Sequence, residues 1–565
     1  MYLKEVTIKY AIHPFNLYER NPELWNNIKI IFNFSYLLSS IIIANYIASF
    51  IYLKFERDNL DNENNKDKNN KYDNDKKSAN RKKLKDEQEE MLKIHIGNSC
   101  SNYEEIYIPE KGLYQNILIT GTIGSGKTSS AMYPITKQLL KYKNYDDKNK
   151  IGMLLLDVKG NYYKEVKKFA YEYDRINDVI VIEVGGAYKY NPLDKPKLKA
   201  SVLANRLKVI LELFSGESTE SYWIDKSEQI LSECIKLCRL YNNGYVNFEE
   251  IHNLITNKEY YDKKVEKIRN LFLNHKFSKE DCYNLLTSMN FFEKEFYKLD
   301  SRTMSILKSQ ITRITNCFMS DYQVSKTFNP KENERNFINL NQIINDGKII
   351  ILNMNISEYR NLSKIIAAYL KLDFQSEVLT RLSDKQKNQK RSVAFISDEY
   401  QEYITATDAD FFAQSREAKC INIVATQSYT SLLKTLGNES TLKVITQNLI
   451  NKIWFRTDDI YTIEEAQKQI GKEEQEKISK SISENAKETK YSYINKTFKS
   501  KDSNISESIS SSYEKDFKYD IHFFTQELKT FFALVFLSDG DKIIKPQKLK
   551  LEPYFRKGSD IYKQN

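Results

Sequence analysis

Two short stretches of the chain hold residue types and spacings suited to phosphate chemistry. The first, "NILITGTIGSGKTSSAMYPI" (116–135), fits the pattern G-x-x-x-x-G-K-[ST], with Gly121, Gly126, Lys127 and Thr128 at the fixed positions. The 565 residues include only 16 glycines, so the crowding of Gly121, Gly124 and Gly126 needs a reason. Glycines there let the loop Gly121, Thr122, Gly124, Ser125, Gly126 wrap its N–H groups around phosphate oxygens. Lys127 then reaches the β- and γ-phosphates, and the Thr128 hydroxyl ligates Mg2+, so ATP with Mg2+ is the expected ligand. The second stretch, "VAFISDEY" (393–400), ends an apolar run in two carboxylates. Downstream of a phosphate loop these suit a metal ligand, Asp398, and a base that activates water, Glu399.

Two further residues fall into place around this pair. Arg416 lies seventeen residues past Glu399, ahead of the apolar run Ile421–Thr426, which ends at Gln427. A polar residue at the tip of a neighbouring strand is placed to sense the γ-phosphate, and an arginine before that strand suits a finger reaching across a subunit boundary. The plainer readings are a surface arginine and a strand-end cap. "LLLDVKGNYY" (154–163) also ends a strand in charge, at Asp157, Lys159 and Gly160, and reads as a turn for which catalysis is not required.

These residues need a scaffold that brings strand ends together. Short apolar runs recur at Ile117–Thr120, Met153–Asp157, Val179–Val184, Lys348–Leu352, Val393–Ser397, Ile421–Thr426, Ile453–Arg456 and Phe532–Leu537. Most are apolar on both faces and several precede helical patterns, so the expected fold class is α/β, a doubly wound P-loop domain of the RecA-like kind. From 200 to 325 the rhythm gives way to 3.6-residue periodicity, as in "YWIDKSEQILSECIKLCRLY", which predicts an inserted all-α domain. The nucleotide-binding domain then comprises 94–199 and 326–565. Within it the polar, serine-rich stretch 472–515 reads as a mobile loop or weak helix-and-linker insertion.

Ahead of this body, after an N-terminal segment 1–29, Ile30–Leu53 is 24 residues long and carries no charge. At ~1.5 Å per residue it reaches ~36 Å, enough for one tilted membrane span and too long for a cleaved signal peptide. The basic "KKSANRKKLK" (76–85) after it puts the residues beyond about 54 in the cytoplasm, with 54–93 a charged flexible linker. The net charge of +10 is compatible with a polyanionic partner, although lysine is abundant throughout. Six cysteines without a C-x-x-C pair argue against a zinc site or a disulfide framework.

Taken in order, "GTIGSGKTSSAMYPI", "LLLDVKG", "KYNPLD", "SYWIDKSEQIL", "FISDEY", "SREAKCINIVATQSY" and "FFALVFLSDGDKIIKPQKLKLEPYF" resemble the type IV secretion coupling proteins. These are the TraG/TraD kind of conjugative DNA-transfer ATPase, similar to the wider FtsK/HerA translocase group. The resemblance implies a homo-hexameric ring that moves DNA without regard to sequence. It implies as partners a relaxase with its relaxosome and the membrane channel of a type IV secretion system. By the same likeness Lys127, Thr128, Asp398 and Glu399 carry hydrolysis, Arg416 acts in trans, and Gln427 couples nucleotide state to the ring. The family commonly has two N-terminal spans, and one is legible here. The competing readings are an FtsK/HerA-like DNA segregation or packaging ATPase and an ATP-switched receptor for secreted proteins.

Overall fold

The computed structural model describes residues 91–565, except 158, 215–220, 275–276, 337–338, 485–488, 493–496, 501–504 and 556–565; of residues 1–90 it describes 23, 26, 27 and 30. The described residues from Met91 onward belong to one compact unit. Apart from Ile30, the expected span Ile30–Leu53 lies outside the described residues, as does the expected linker as far as residue 90. Among the described residues no helix is long and apolar enough to cross a membrane.

The strands, in chain order, are β1 (Lys93–Ser99), β2 (Glu105–Pro109), β3 (Ile117–Thr120), β4 (Gly152–Asp157), β5 (Val179–Ile182), β6 (Ile349–Asn353), β7 (Val393–Ser397), β8 (Cys420–Thr426) and β9 (Asn451–Trp454). After them come β10 (Lys472–Glu484), β11 (Thr489–Ser492), β12 (Thr497–Ser500), β13 (Ile505–Phe517), β14 (Phe532–Ser538) and β15 (Ile543–Lys550). Eleven of them form one sheet in the order β2-β1-β15-β14-β9-β3-β8-β7-β4-β6-β5. The block from β9 to β5 is parallel.

Every residue of β3, β4, β7, β8 and β9 is buried. Strands covered on both faces read as continuous apolar runs, which is why these segments stand out in the sequence. Alternate residues serve opposite faces. Ile117, Ile119, Met153, Leu155 and Ile351 pack with the helices Tyr133–Lys141 and Tyr162–Glu172, while Leu118, Leu154, Leu156 and Ile350 join a second core on the other face. That second core is continuous with Ile230, Cys234, Leu237 and Cys238 of the helix Ser221–Tyr241 and with Phe248 and Phe318, which stack at 3.8 Å. Between β5 and β6 the described residues form helices and no strand.

Two expectations need correction. The sheet is mixed, because β14 pairs antiparallel with β9 and β15, and β15 with β1. The added strands β1, β2 and β15 are partly exposed and interrupted by polar or charged residues, among them lysines in β1 and β15 and Glu105 in β2, so the run signal that marks a doubly buried strand is missing from them. The described residues at the two ends of 472–515 form strand and not loop or weak helix: β10 and β13 pair antiparallel along 13 residues each. Serine alternating with isoleucine and charge in "ISKSISE" and "ISESISSSY" is a period-two pattern, which the polar composition hides.

Candidate active site

Parallel strands deliver their carboxyl ends to one edge of the sheet. At this edge the phosphate loop follows β3, Gln427 follows β8, Asp398 and Glu399 follow β7, and Asp157 ends β4. Register sets them level, since Thr120 pairs with Thr426 and Leu156 with Ser397. The strand carrying the acid pair is thus one removed from the loop strand, with the Gln427 strand between them.

The loop is held in a shape only glycine tolerates at two points, Gly124 with φ 78° and Gly126 with φ 101°. Thr122 donates from its N–H (2.8 Å) and hydroxyl (3.1 Å) to the Arg456 carbonyl at the end of β9, and the Ser125 hydroxyl donates to the Thr122 carbonyl at 2.8 Å. Lys127 is buried, and its ammonium donates to the carbonyls of Gly121 and Thr122, the latter at 3.0 Å. Burial pushes the Lys127 ammonium below its ordinary pKa, against the pull of Asp398 and Glu399. A buried cation satisfied only by carbonyl dipoles has unused capacity for an anion.

The Thr128 hydroxyl donates to Asp398 Oδ2 at 3.1 Å. Burial raises the Asp398 carboxyl above the usual range, with Lys159 opposing the shift. A desolvated carboxylate beside a hydroxyl at the mouth of a phosphate loop is a donor set that suits a small hard cation. Among the described residues no three His, Cys, Asp or Glu side chains gather as a metal group. A cation held by Thr128 and Asp398 therefore needs phosphate and water oxygens for the rest of its shell.

Neighbouring side chains on an extended strand point to opposite faces. Glu399 escapes this by taking φ 50°, ψ 45°, a left-handed turn that ends β7 and keeps both carboxylates at the loop edge. Its carboxylate is ion-paired with Lys159 and accepts from Gln401 and from Gln427, the last at 3.1 Å. Burial pushes the Glu399 carboxyl up, but Lys159 and the two amides outweigh it, so the group lies below the usual range and is ionised at neutral pH.

The sequence marks Lys159 only as part of a strand-end turn, not as a partner of Glu399, and does not mark Gln401. Asp157 shapes the turn that presents Lys159, accepting from the N–H groups of Lys159 (3.1 Å), Gly160 (2.9 Å) and Tyr163 (3.0 Å). Gln401 is oriented by the Thr426 hydroxyl, which donates to its Oε1 at 2.9 Å. The Tyr403 hydroxyl donates to the Asp398 carbonyl at 2.7 Å and fixes the end of β7.

Arg416 is not part of this cluster. It is exposed and precedes β8, so it lies at the opposite edge of the sheet, about 20 Å away at ~3.3 Å per strand residue. It has no route to the phosphate loop of its own chain. Beside the loop a cleft of about 730 Å3 is lined by Thr122, Ile123, Gln427, Ser428, Arg456 and Asp459.

Residues 301–508 match the family model described as the type IV secretion-system coupling protein DNA-binding domain. Similar solved structures include the unbound bacterial conjugative coupling protein TrwBdeltaN70, with a TM-score of 0.52 and 13% identity over 83% of this chain and 91% of that one. The plasmid coupling protein TrwB in complex with ADP and Mg2+ gives 0.53 and 12% over 83% and 91%. The same protein with the non-hydrolysable ATP analogue ADPNP gives 0.53 and 12% over 83% and 92%. At this identity the structural likeness establishes a shared fold. No curated protein matches the sequence. The family match spans the strands that carry Asp398, Glu399 and Gln427, so over residues 301–508 the chain is similar to the DNA-binding domain of type IV secretion-system coupling proteins.

Proposed function

We propose that the chain is a membrane-anchored ATPase that drives DNA, with its relaxase attached, toward a type IV secretion channel. The observation that carries this reading is the single edge at which Thr128 meets Asp398, and Lys159 and Gln427 meet Glu399, in a chain whose family match is to a DNA-binding domain. The N–H groups of the loop from Gly121 to Gly126 and the Lys127 ammonium bind the phosphates. Thr128 and Asp398 hold Mg2+, which when bound neutralises charge on the phosphate oxygens. Glu399, ionised and aimed by Gln427, accepts a proton from the attacking water. Gln427 links the γ-phosphate to β8 and thereby to the far edge of the sheet. Arg416, remote from its own loop, serves the loop of a neighbouring subunit in a homo-hexameric ring.

A motor of this kind grips successive phosphates whatever the base. DNA binding is therefore expected to be indifferent to sequence and to weaken steeply between low and moderate salt. Titrating scrambled oligonucleotides at several ionic strengths tests this, and one preferred sequence or a flat salt response would overturn it.

The anchor in this reading is the uncharged run Ile30–Leu53, with the residues after about 54 in the cytoplasm. The full-length chain is then expected to stay in the membrane fraction through carbonate washing, which strips surface-bound helices. Its release by carbonate would refute the span.

A further inference from the structure

Aromatic residues that flank the last two strands close around the outer side of the phosphate loop. β14 runs antiparallel to β9, so its first residue lies beside the carboxyl end of β9, and Phe532 pairs there with Lys550 at the end of β15. Phe531, just ahead of β14, holds φ 68°, a conformation that bulky residues rarely adopt. Two contacts keep it there: its N–H donates to the Ser125 carbonyl at 3.2 Å, and its own carbonyl accepts from the Leu551 N–H at 2.8 Å. Its ring rests on Gly126, so closely that a Cβ at that glycine would come within 2.7 Å of it. One turn into the helix that follows the loop, the Tyr554 N–H donates to the Ser129 carbonyl at 3.0 Å, and the Tyr554 ring packs 4.8 Å from Tyr133. Phe555 follows, its ring 5.5 Å from Tyr554 and 6.3 Å from Phe531, and it remains 60% exposed.

The direction of a bound nucleotide gives these rings a task. Its terminal phosphate must face Glu399 and Gln427, on the side of β8 and β7. The base must then leave on the other side, over the helix turn at Lys127–Ser129 and toward β9 and β14. That is where the exposed ring of Phe555 lies, seated on Tyr554 and edged by Phe531. A phenyl ring has a π-face but neither donor nor acceptor, so it can hold a base by stacking and cannot read its edge. We infer that Phe555, braced by Phe531 and Tyr554, is the stacking platform for the nucleotide base. This rests on the proposal that the loop binds a nucleotide, and it adds the part of the ligand the loop does not touch.

The test compares ATP, GTP and inorganic tripolyphosphate, each with Mg2+, on the full-length chain by calorimetry. Phe555→Ala is expected to raise the Kd of ATP and GTP about tenfold each while leaving tripolyphosphate unchanged, and Phe555→Trp to restore both. Phe531→Leu, which keeps bulk against Gly126 without a flat ring, is expected to act in the same direction more weakly. Unchanged ATP affinity in Phe555→Ala would overturn the platform. So would an equal loss of tripolyphosphate, since the ring would then be shaping the loop and not holding a base. If the unaltered chain binds neither ATP nor tripolyphosphate, the nucleotide proposal itself falls, which separates that failure from the failure of the platform.

Discussion

Glu399→Gln should bind ATP as the unaltered chain does and turn it over about 10²- to 10³-fold more slowly. The amide keeps the size of the side chain and an oxygen able to accept from Gln401 and Gln427, so the architecture at the end of β7 survives. What is lost is the charge that pairs with Lys159 and the ability to take a proton from water. Lys127→Ala should behave in the opposite way. It removes the cation buried in the loop, so binding itself should weaken. Equilibrium binding of a fluorescent nucleotide alongside phosphate release separates the two cases. Wild-type hydrolysis by Glu399→Gln would show that another group activates the water.

Arg416→Ala should leave ATP affinity nearly intact and cut turnover by about 10³-fold in assembled rings. The structure sharpens this expectation, because Arg416 sits at the amino end of β8 while Gln427, the partner of Glu399, sits at its carboxyl end. A role in its own site would require the sheet to be crossed. A role in a neighbour's site requires only that one subunit's far edge meet the next one's loop. Mixing decides between them: a Lys127→Ala subunit still offers Arg416, and an Arg416→Ala subunit still offers an intact loop. Mixed rings should recover activity that neither variant shows alone. Full activity in Arg416→Ala would make the residue an ordinary surface arginine.

The parts of the molecule visible in the sequence are those whose physics is local. A loop that needs backbone N–H groups around phosphate must place its glycines at fixed spacing, so Gly121 to Thr128 could be found without a structure. The strands β3, β7 and β8 are buried on both faces and therefore appear as unbroken apolar runs. The strands β1, β2 and β15 were not legible, because a partly exposed strand broken by polar and charged residues has no such run. Lys159 illustrates a different limit. Its pairing with Glu399 depends on β4 lying beside β7 in a particular register, a fact of sheet order that no local pattern contains. Gln401 likewise acquires its orientation from Thr426 on the adjacent strand. The ligand set was local and legible, whereas the groups that orient it are tertiary.

That the phosphate edge is spent on moving DNA is tested most directly by ATP hydrolysis of the full-length chain measured with and without DNA, using Glu399→Gln as the control for contaminating activity. The expected result is a basal rate that rises several-fold on adding DNA of any sequence, falls back as salt releases the DNA, and drops by about 10²- to 10³-fold in Glu399→Gln. A chain that hydrolyses no ATP, or whose rate is the same with DNA as without it, would contradict the account.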